Sequence, residues 1–301
     1  MTEEREKSSA ATINSLDVVT SGSTIRNDTI WHFTGPEALY EILRPDGCLL
    51  ATHMSFLNDS HEPYRVLDAL ALLQDQVGAF ARGGIEKKEL LMRYVRSGTI
   101  FCPFVTCFCR KAESPLMWRV YTRNGGFAIG FRRQELLDNV ICPKSFEFRS
   151  GPCRYGSFSR KCLGNRKDFL QCEIRNFAAN CPKDSLLFEL VHEKESKRLS
   201  KGICELSQAA AFVKDQFFSD EKEFRLVFTK KGSLSPLDFE MVNGGPRLRI
   251  RFKQPLHRFV SEIKVSPLGD ADENLKTARF AAGVFRIDPG KVSMFECSVR
   301  R

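Results

Sequence analysis

Glu221 and Glu223 stand two positions apart at the start of a β-prone run, Glu223-Phe-Arg-Leu-Val-Phe228. On a strand, alternate residues face the same side, so the two carboxylates are expected to project together into one cleft. Like charges that close raise at least one of the two pKa values, which suits a group that takes a proton from an attacking nucleophile. The bland alternative is a solvated strand face on which Glu221 and Glu223 pair with Lys222 or Arg225 across strands. His32 lies between Trp31 and Phe33. On a strand it faces away from both aromatics, open either to a ligand or to the core. Tyr121 repeats with Met117 and Trp118 at helical spacing, which allows core packing or stacking on a ligand. Asn58-Asp59 is turn chemistry, and Asp59 with Glu62 has the spacing of a capping box for a following helix.

A second kind of chemistry comes from Arg247, Arg249 and Arg251, which alternate with Leu248, Ile250 and Phe252. A strand here presents three guanidinium groups on one face and a core stripe on the other. Such a face suits phosphate or nucleic acid, or is an exposed sheet surface. Cys107 and Cys109 alternate without a matching Cys-x-x-Cys or a nearby His, so no metal is expected and no cysteine nucleophile can be assigned. Glu195-Ser-Lys197 has nuclease-like spacing but sits in a charged, helical stretch. Neither a Gly-x-Gly-x-x-Gly fingerprint nor a Walker-type phosphate loop is present.

Composition bounds these readings. The 301 residues are 42% hydrophobic, enough for a substantial core. With 46 Lys and Arg against 37 Asp and Glu, the formal charge of +9 should attract anions: nucleic acid, nucleotide phosphates or acidic protein surfaces. The 11 cysteines are odd in number and scattered, and a charged N-terminus precedes no apolar leader, so reduced thiols and a cytoplasmic location are expected. No run approaches the roughly 20 apolar residues of a membrane helix.

The elements that must position these residues follow from periodicity and breakers. Residues 1 to about 27 read as a flexible tail, and 28–301 as a single α+β domain. Ile30 to Phe33 has strand character. Gly35-Pro36 then opens a helix with a Leu39, Ile42, Leu43 stripe. A short strand at Cys48 to Ala51, helices at Glu62 to about Phe80 and Ile85 to Arg96, a strand in Ile100 to Phe108, a helix at Leu116 to Tyr121 and a strand at Phe127 to Phe131 follow. A charged helical insertion is expected at about 166–218. Beyond it come strands at Phe224 to Phe228, Leu237 to Val242, Leu248 to Phe252 and Ile263 to Val265, a helix from Asp272 to Ala282, and a last strand from Val292 to Cys297.

Three segments together resemble a bacterial family catalogued as domain of unknown function 2971. They are Trp31-His-Phe-Thr34 with Leu39 to Leu43 and Leu57-Asn-Asp-Ser-His-Glu62; Thr106-Cys-Phe-Cys109 with Leu116-Met-Trp-Arg-Val-Tyr121 and Gly126-Phe-Ala-Ile-Gly-Phe131; and Asp220-Glu-Lys-Glu-Phe-Arg225 with Glu262-Ile-Lys-Val-Ser-Pro267. The chain departs from that pattern at Ser60-His61 and in a shortened turn at Asn124. The order His32-Phe-Thr34, helix, short strand, Tyr121 and late Glu-x-Glu is also remotely similar to the ADP-ribosyltransferase superfamily, including its DNA-modifying toxins. That resemblance implies split, small mixed β-sheets flanked by helices, with NAD in the cleft between them. It implies that His32, beside Thr34, holds a hydroxyl of the nicotinamide ribose and that Tyr121 stacks on nicotinamide; Asn58, Asp59 and Glu62 are then open either to the turn and cap or to closing the NAD pocket. Glu223 would be the catalytic carboxylate and Glu221 would sit near the acceptor. The expected function is then an NAD-dependent ADP-ribosyltransferase or NAD glycohydrolase, acting on nucleic acid or protein in bacterial defence or toxicity. The alternative is a noncatalytic nucleic-acid or nucleotide-binding module that uses the basic face around Arg249.

Overall fold

The structure, a computed structural model, describes residues 28–59, 61–62, 103–122, 125–156, 207–231 and 234–296. Its first strand, β1 (Thr29–Thr34), ends where Gly35 gives way to Pro36, whose fixed φ suits the first turn of α1 (Pro36–Leu43). Leu39, Ile42 and Leu43 are the buried face of that helix, as their spacing predicts. There follow β2 (Leu49–His53), β3 (Phe104–Cys109) and α2 (Pro115–Tyr121). The Ser114 side chain caps α2 by accepting from the Met117 N–H. Next come β4 (Phe127–Arg132), α3 (Arg133–Asp138), β5 (Val140–Ile141), β6 (Phe146–Pro152), β7 (Arg154–Tyr155) and β8 (Val213–Lys214). A 3₁₀ turn at Gln216–Glu221 leads into β9 (Glu223–Lys230), and β10 (Glu240–Val242), β11 (Gly245–Phe252), β12 (Val260–Val265), α4 (Ala271–Val284) and β13 (Val292–Met294) complete the order.

The architecture is α+β, built on one mixed sheet whose main path runs β10-β11-β2-β3-β1-β4-β12-β13. Strand β3 is its junction. Along one edge β3 pairs first with β2 (Thr52 opposite Val105) and then, at its far end, with β1 (Trp31 opposite Cys109). Along the other edge it pairs with β9 over its whole length, from Phe104 opposite Phe228 to Cys109 opposite Glu223, and β9 in turn carries β6. The sheet therefore forks on β3 instead of forming the two separate small sheets expected from the sequence. Pairs within it are antiparallel except β12 with β13.

The two faces of this sheet bury different clusters. On one, Ile30, Phe108, Ile129, Phe131, Phe224, Leu226, Leu248 and Ile250 meet the apolar stripes of α1 and α4, including Leu39, Leu43, Ala278 and Ala282. On the other, Trp31, Phe33, Cys109 and Ala128 meet Met117 and Trp118 of α2. Gly130 makes that second packing fit, since a Cβ there would stand 2.9 Å from the Trp31 ring. Further along the second face, Met54, Val105, Ala211 and Val227 form a smaller cluster.

Two expectations change. The segment Leu237 to Val242 divides into a 3₁₀ turn at Pro236–Asp238, held by a Ser235–Asp238 capping box, and the short β10. The described end of the expected helical insertion is helical only at Ser207–Ala210 before it becomes β8 and the 3₁₀ turn. The rest of that insertion, the N-terminal tail and the helices expected at 62–80 and 85–96 lie outside the described residues, apart from Glu62. Among the described residues no helix is long and apolar enough to cross a membrane.

Candidate active site

Arg225 is the centre around which the second face of β9 is organised. It is completely buried, opposite Cys107 on β3 and Gly151 on β6, two small residues that leave room for a guanidinium. Its two terminal nitrogens grip both carboxylate oxygens of Glu62 at 2.7 and 2.9 Å; they also donate to the Ala211 carbonyl at 2.7 Å and to Glu223 at 2.9 Å. Lys214, from β8, adds a second buried cation: its Nζ donates to Glu221 at 2.5 Å and to Glu223 at 3.2 Å, and lies 3.7 Å from Glu62. Three carboxylates thus share two cations, with an excess of one negative charge when all are ionised. Burying such a group is costly unless every charge is satisfied.

The environments drive the two glutamates of the Glu-x-Glu apart. Burial would raise the Glu223 carboxyl, but the charges of Arg225 and Lys214 outweigh it and hold Glu223 down to about 2. For Glu221, burial prevails over Lys214 and lifts the carboxyl above its ordinary value. Lys214 loses by burial and gains more from Glu223, Glu62 and Glu221, so its ammonium is firmly held. The Cys107 and Cys153 thiols, beside Glu223, are pushed well up by burial and stay protonated.

The route by which the two glutamates meet differs from the expected strand pleat. Glu221 ends the 3₁₀ turn that Asp215 caps by accepting from the Phe217 N–H; Lys222 then takes a left-handed φ of 44°, and the strand begins at Glu223. The reversal at Lys222 returns the Glu221 side chain toward the same ammonium that Glu223 meets. The Tyr155 hydroxyl accepts from the Glu223 N–H at 2.6 Å and pins the start of the strand.

Tyr121 ends α2 with 37% of its surface exposed, and α2 packs against the 3₁₀ turn that bears Glu221. Its hydroxyl accepts from the Asn58 amide at 3.1 Å. Burial first, and then the nearby Glu221 charge, lift that hydroxyl's pKa. Tyr121, Asn58, Glu221 and Glu223 therefore gather at one place, with Met117 and Trp118 taking the core role on the same helix.

His32 and Thr34 do not join them. Glu223 is in register with Cys109 and hence with Trp31, whereas His32 alternates with Trp31 and packs on Phe108, ring centroids 5.5 Å apart, on the opposite face. His32 Nδ1 donates to the Cys107 carbonyl at 3.1 Å, close to where the β1–β3 ladder ends at the fork. Burial pulls the imidazole pKa down, so the ring is neutral at neutral pH. Thr34 is buried opposite Phe127 on β4. A ligand shared by His32 and Glu223 is thus excluded by the sheet that lies between them.

The sequence marks neither Lys214 nor Arg225 as a site residue. Glu62 has the spacing of a cap, and Asp59 does accept from the His61 N–H at 2.9 Å, but the Glu62 carboxylate goes to Arg225. Lys214 lies where a helix is expected. Arg225 extends the same alternation as Glu223, which was the available signal. The Arg strand turns out as expected: Leu248 and Ile250 are buried, Arg249 and Arg251 exposed, and Arg247 partly covered. Among the described residues no group of three or more His, Cys, Asp or Glu side chains is placed to hold a metal ion.

The strand, turn and helix that carry this cluster fall within one recognisable stretch. Residues 117–226 match the family model described as protein of unknown function, DUF2971. The DUF2971 stretch runs from α2 to β9 and contains Tyr121, Lys214, Glu221, Glu223 and Arg225, while Glu62 reaches it from outside. No curated protein and no solved structure matches the chain.

Proposed function

We propose that the cluster around Glu221 and Glu223 is a catalytic centre that cleaves or transfers a nucleotide glycosidic bond, with NAD as donor and nucleic acid, protein or water as acceptor. One observation carries this reading: the two carboxylates share the Lys214 ammonium, but only Glu223 is also held by Arg225, which keeps its carboxyl low while burial lifts that of Glu221. Such divergence separates a group that exchanges a proton from one that stays ionised. Breaking the bond to nicotinamide builds positive charge on the ribose, and a fixed negative charge next to it lowers that barrier. Glu223, immobilised by Arg225 and Lys214, supplies the fixed charge. Glu221 takes the proton from the acceptor hydroxyl or water, and Lys214 holds it in place. Tyr121 offers an aromatic face at the edge of the cluster. His32 has no part in this chemistry, which departs from the role its resemblance implies.

The test is nicotinamide release from labelled NAD by the full chain, with and without nucleic acid and lysate protein. Glu221→Gln should reduce turnover at least about 100-fold while the circular dichroism spectrum is unchanged. Absence of turnover with every acceptor would overturn the proposal. The basic strand of Arg247, Arg249 and Arg251 favours the second reading, a noncatalytic nucleic-acid or nucleotide-binding module, in which case salt-sensitive binding survives Glu221→Gln.

A further inference from the structure

Glu223 and Lys214 belong to different sheets. Glu223 opens β9 in the main sheet, whereas Lys214 lies on β8, which pairs with β7 in a separate two-stranded sheet. Their 3.2 Å contact therefore depends on the links that fix one sheet against the other. Arg225 supplies one such link by donating to the Ala211 carbonyl, three residues before Lys214. The segment from Cys153 to Gly156 supplies the rest.

Strand β6 runs beside β9 as far as Pro152 opposite Phe224, and Cys153 extends that register by donating its N–H to the Glu223 carbonyl at 2.8 Å. In a regular antiparallel pair the two residues exchange both bonds, so the Glu223 N–H would return to the Cys153 carbonyl. It goes instead to the Tyr155 hydroxyl, at 2.6 Å. A side chain thus takes the place of a backbone acceptor, and the chain from Arg154 onward can leave β9 and pair with β8. There the Arg154 N–H donates to the Phe212 carbonyl at 2.8 Å and the Gly156 N–H to the Lys214 carbonyl at 2.9 Å, with Tyr155 opposite Lys214 in the parallel ladder. One residue touches both partners: the Tyr155 side chain holds the amide of Glu223, and its backbone lies in register with Lys214.

We propose that Tyr155 is a positioning residue of the site, whose hydroxyl seats the start of β9 against β7 and so holds the Glu223 carboxylate on the Lys214 ammonium that Glu221 shares. The consequence for turnover rests on the function proposed above; the clamp itself rests on the bonds of Tyr155 and the β7–β8 ladder. Around the Glu223 carboxylate stand Arg225 and Lys214, the Cys107 and Cys153 thiols, and Glu221 and Glu62 on the same two cations. Tyr155→Phe keeps all six and removes only the oxygen that seats the backbone, so a changed Glu223 titration reports geometry.

Carbon NMR of the full chain, labelled with ¹³C at the glutamate carboxyls, reads this without turnover, the Glu223 signal being the one lost in Glu223→Gln. With its carboxyl held at about 2, Glu223 should stay ionised in the native chain as pH falls to about 3.5. Tyr155→Phe should lift its midpoint by at least about one pH unit, which brings partial protonation into that range. Where nicotinamide is released, kcat should fall at least about tenfold with KM within about twofold. Phe108→Leu, a core change on the opposite face, should lower the melting temperature and move neither. If Tyr155→Phe does not fold, Gly156→Ala disturbs the Lys214 side of the same clamp: its φ of 113° strains an alanine, while the nearest atom to the new Cβ is 3.8 Å away. It should lift the Glu223 midpoint in the same direction. An unmoved midpoint, or an equal shift in Phe108→Leu, overturns the positioning role whatever the turnover. A lifted midpoint with kcat unchanged overturns it as well. A lifted midpoint in a chain that never releases nicotinamide supports the clamp and removes the catalytic reading.

Discussion

Arg225 is fully buried, so the two carboxylates that meet it determine whether its burial is tolerable. Removing the charge of one partner of such a pair leaves the other uncompensated, which typically costs about 3–5 kcal/mol. Glu62→Gln, which preserves shape but not charge, is therefore expected to lower unfolding stability by about 3 kcal/mol in denaturant titration. The cluster also sets an acid limit. Glu223 is depressed from 4.5 to about 2 in the folded chain, so its ionised form stabilises the fold at every pH above its unfolded value, and that contribution disappears as pH falls from about 4.5 through 2. At about 1.4 kcal/mol for each pKa unit this amounts to about 3 kcal/mol. Glu221 has the opposite sign: raised in the fold, it favours the native state when protonated and gives that up as pH rises through its folded value. Melting temperature followed from pH 5 to 2 should fall steeply for the native chain and less steeply for Glu223→Gln, measured against that variant's own neutral-pH value.

At the scale of elements, the fork on β3 gives His32 a reason to exist without a ligand. The β1–β3 ladder ends at Trp31 opposite Cys109, and the His32 imidazole bonds the Cys107 carbonyl there. His32→Ala should cost about 1–2 kcal/mol through the unsatisfied carbonyl and the lost packing on Phe108, while kcat of any glycosidic reaction stays unchanged. A large fall in kcat with unaltered stability would restore the ribose-binding role and remove the present assignment. The 3₁₀ turn before β9 shows the same economy. One left-handed residue, Lys222, is what brings Glu221 and Glu223 to a common ammonium.

In the whole molecule, one face of the sheet holds the large apolar core and the other holds the ion cluster, with α2 beside it. The largest apolar cluster and the ion cluster are therefore separated by face. Phe108 is fully buried on the core side of the junction strand, 6.2 Å from Phe131 by ring centroid. Phe108→Ala should cost about 3–5 kcal/mol by thermal or chemical unfolding. At temperatures where the variant remains folded, kcat for nicotinamide release should be unaltered, because Glu223 projects from the other face. A net charge of +9 keeps the molecule attractive to anions at long range.

Much of the framework was legible in the residues alone. Gly35-Pro36 with the Leu39, Ile42, Leu43 stripe marked α1, the Met117, Trp118, Tyr121 repeat marked α2, and alternation marked β9 and the outward arginines of β11. These are local signals, because helical and strand periodicities are properties of adjacent residues. The acidic pair was also visible, and its two members do meet one ammonium, that of Lys214. What only the tertiary structure decided was which charges meet: Glu62 and Arg225 are 163 residues apart, and Lys214 enters from a two-residue strand in a stretch that reads as helix. The same holds for His32, placed by the register of β1, β3 and β9 on the face away from Glu223. Strand order and register are set by cooperative long-range packing, and no spacing along the chain encodes them directly.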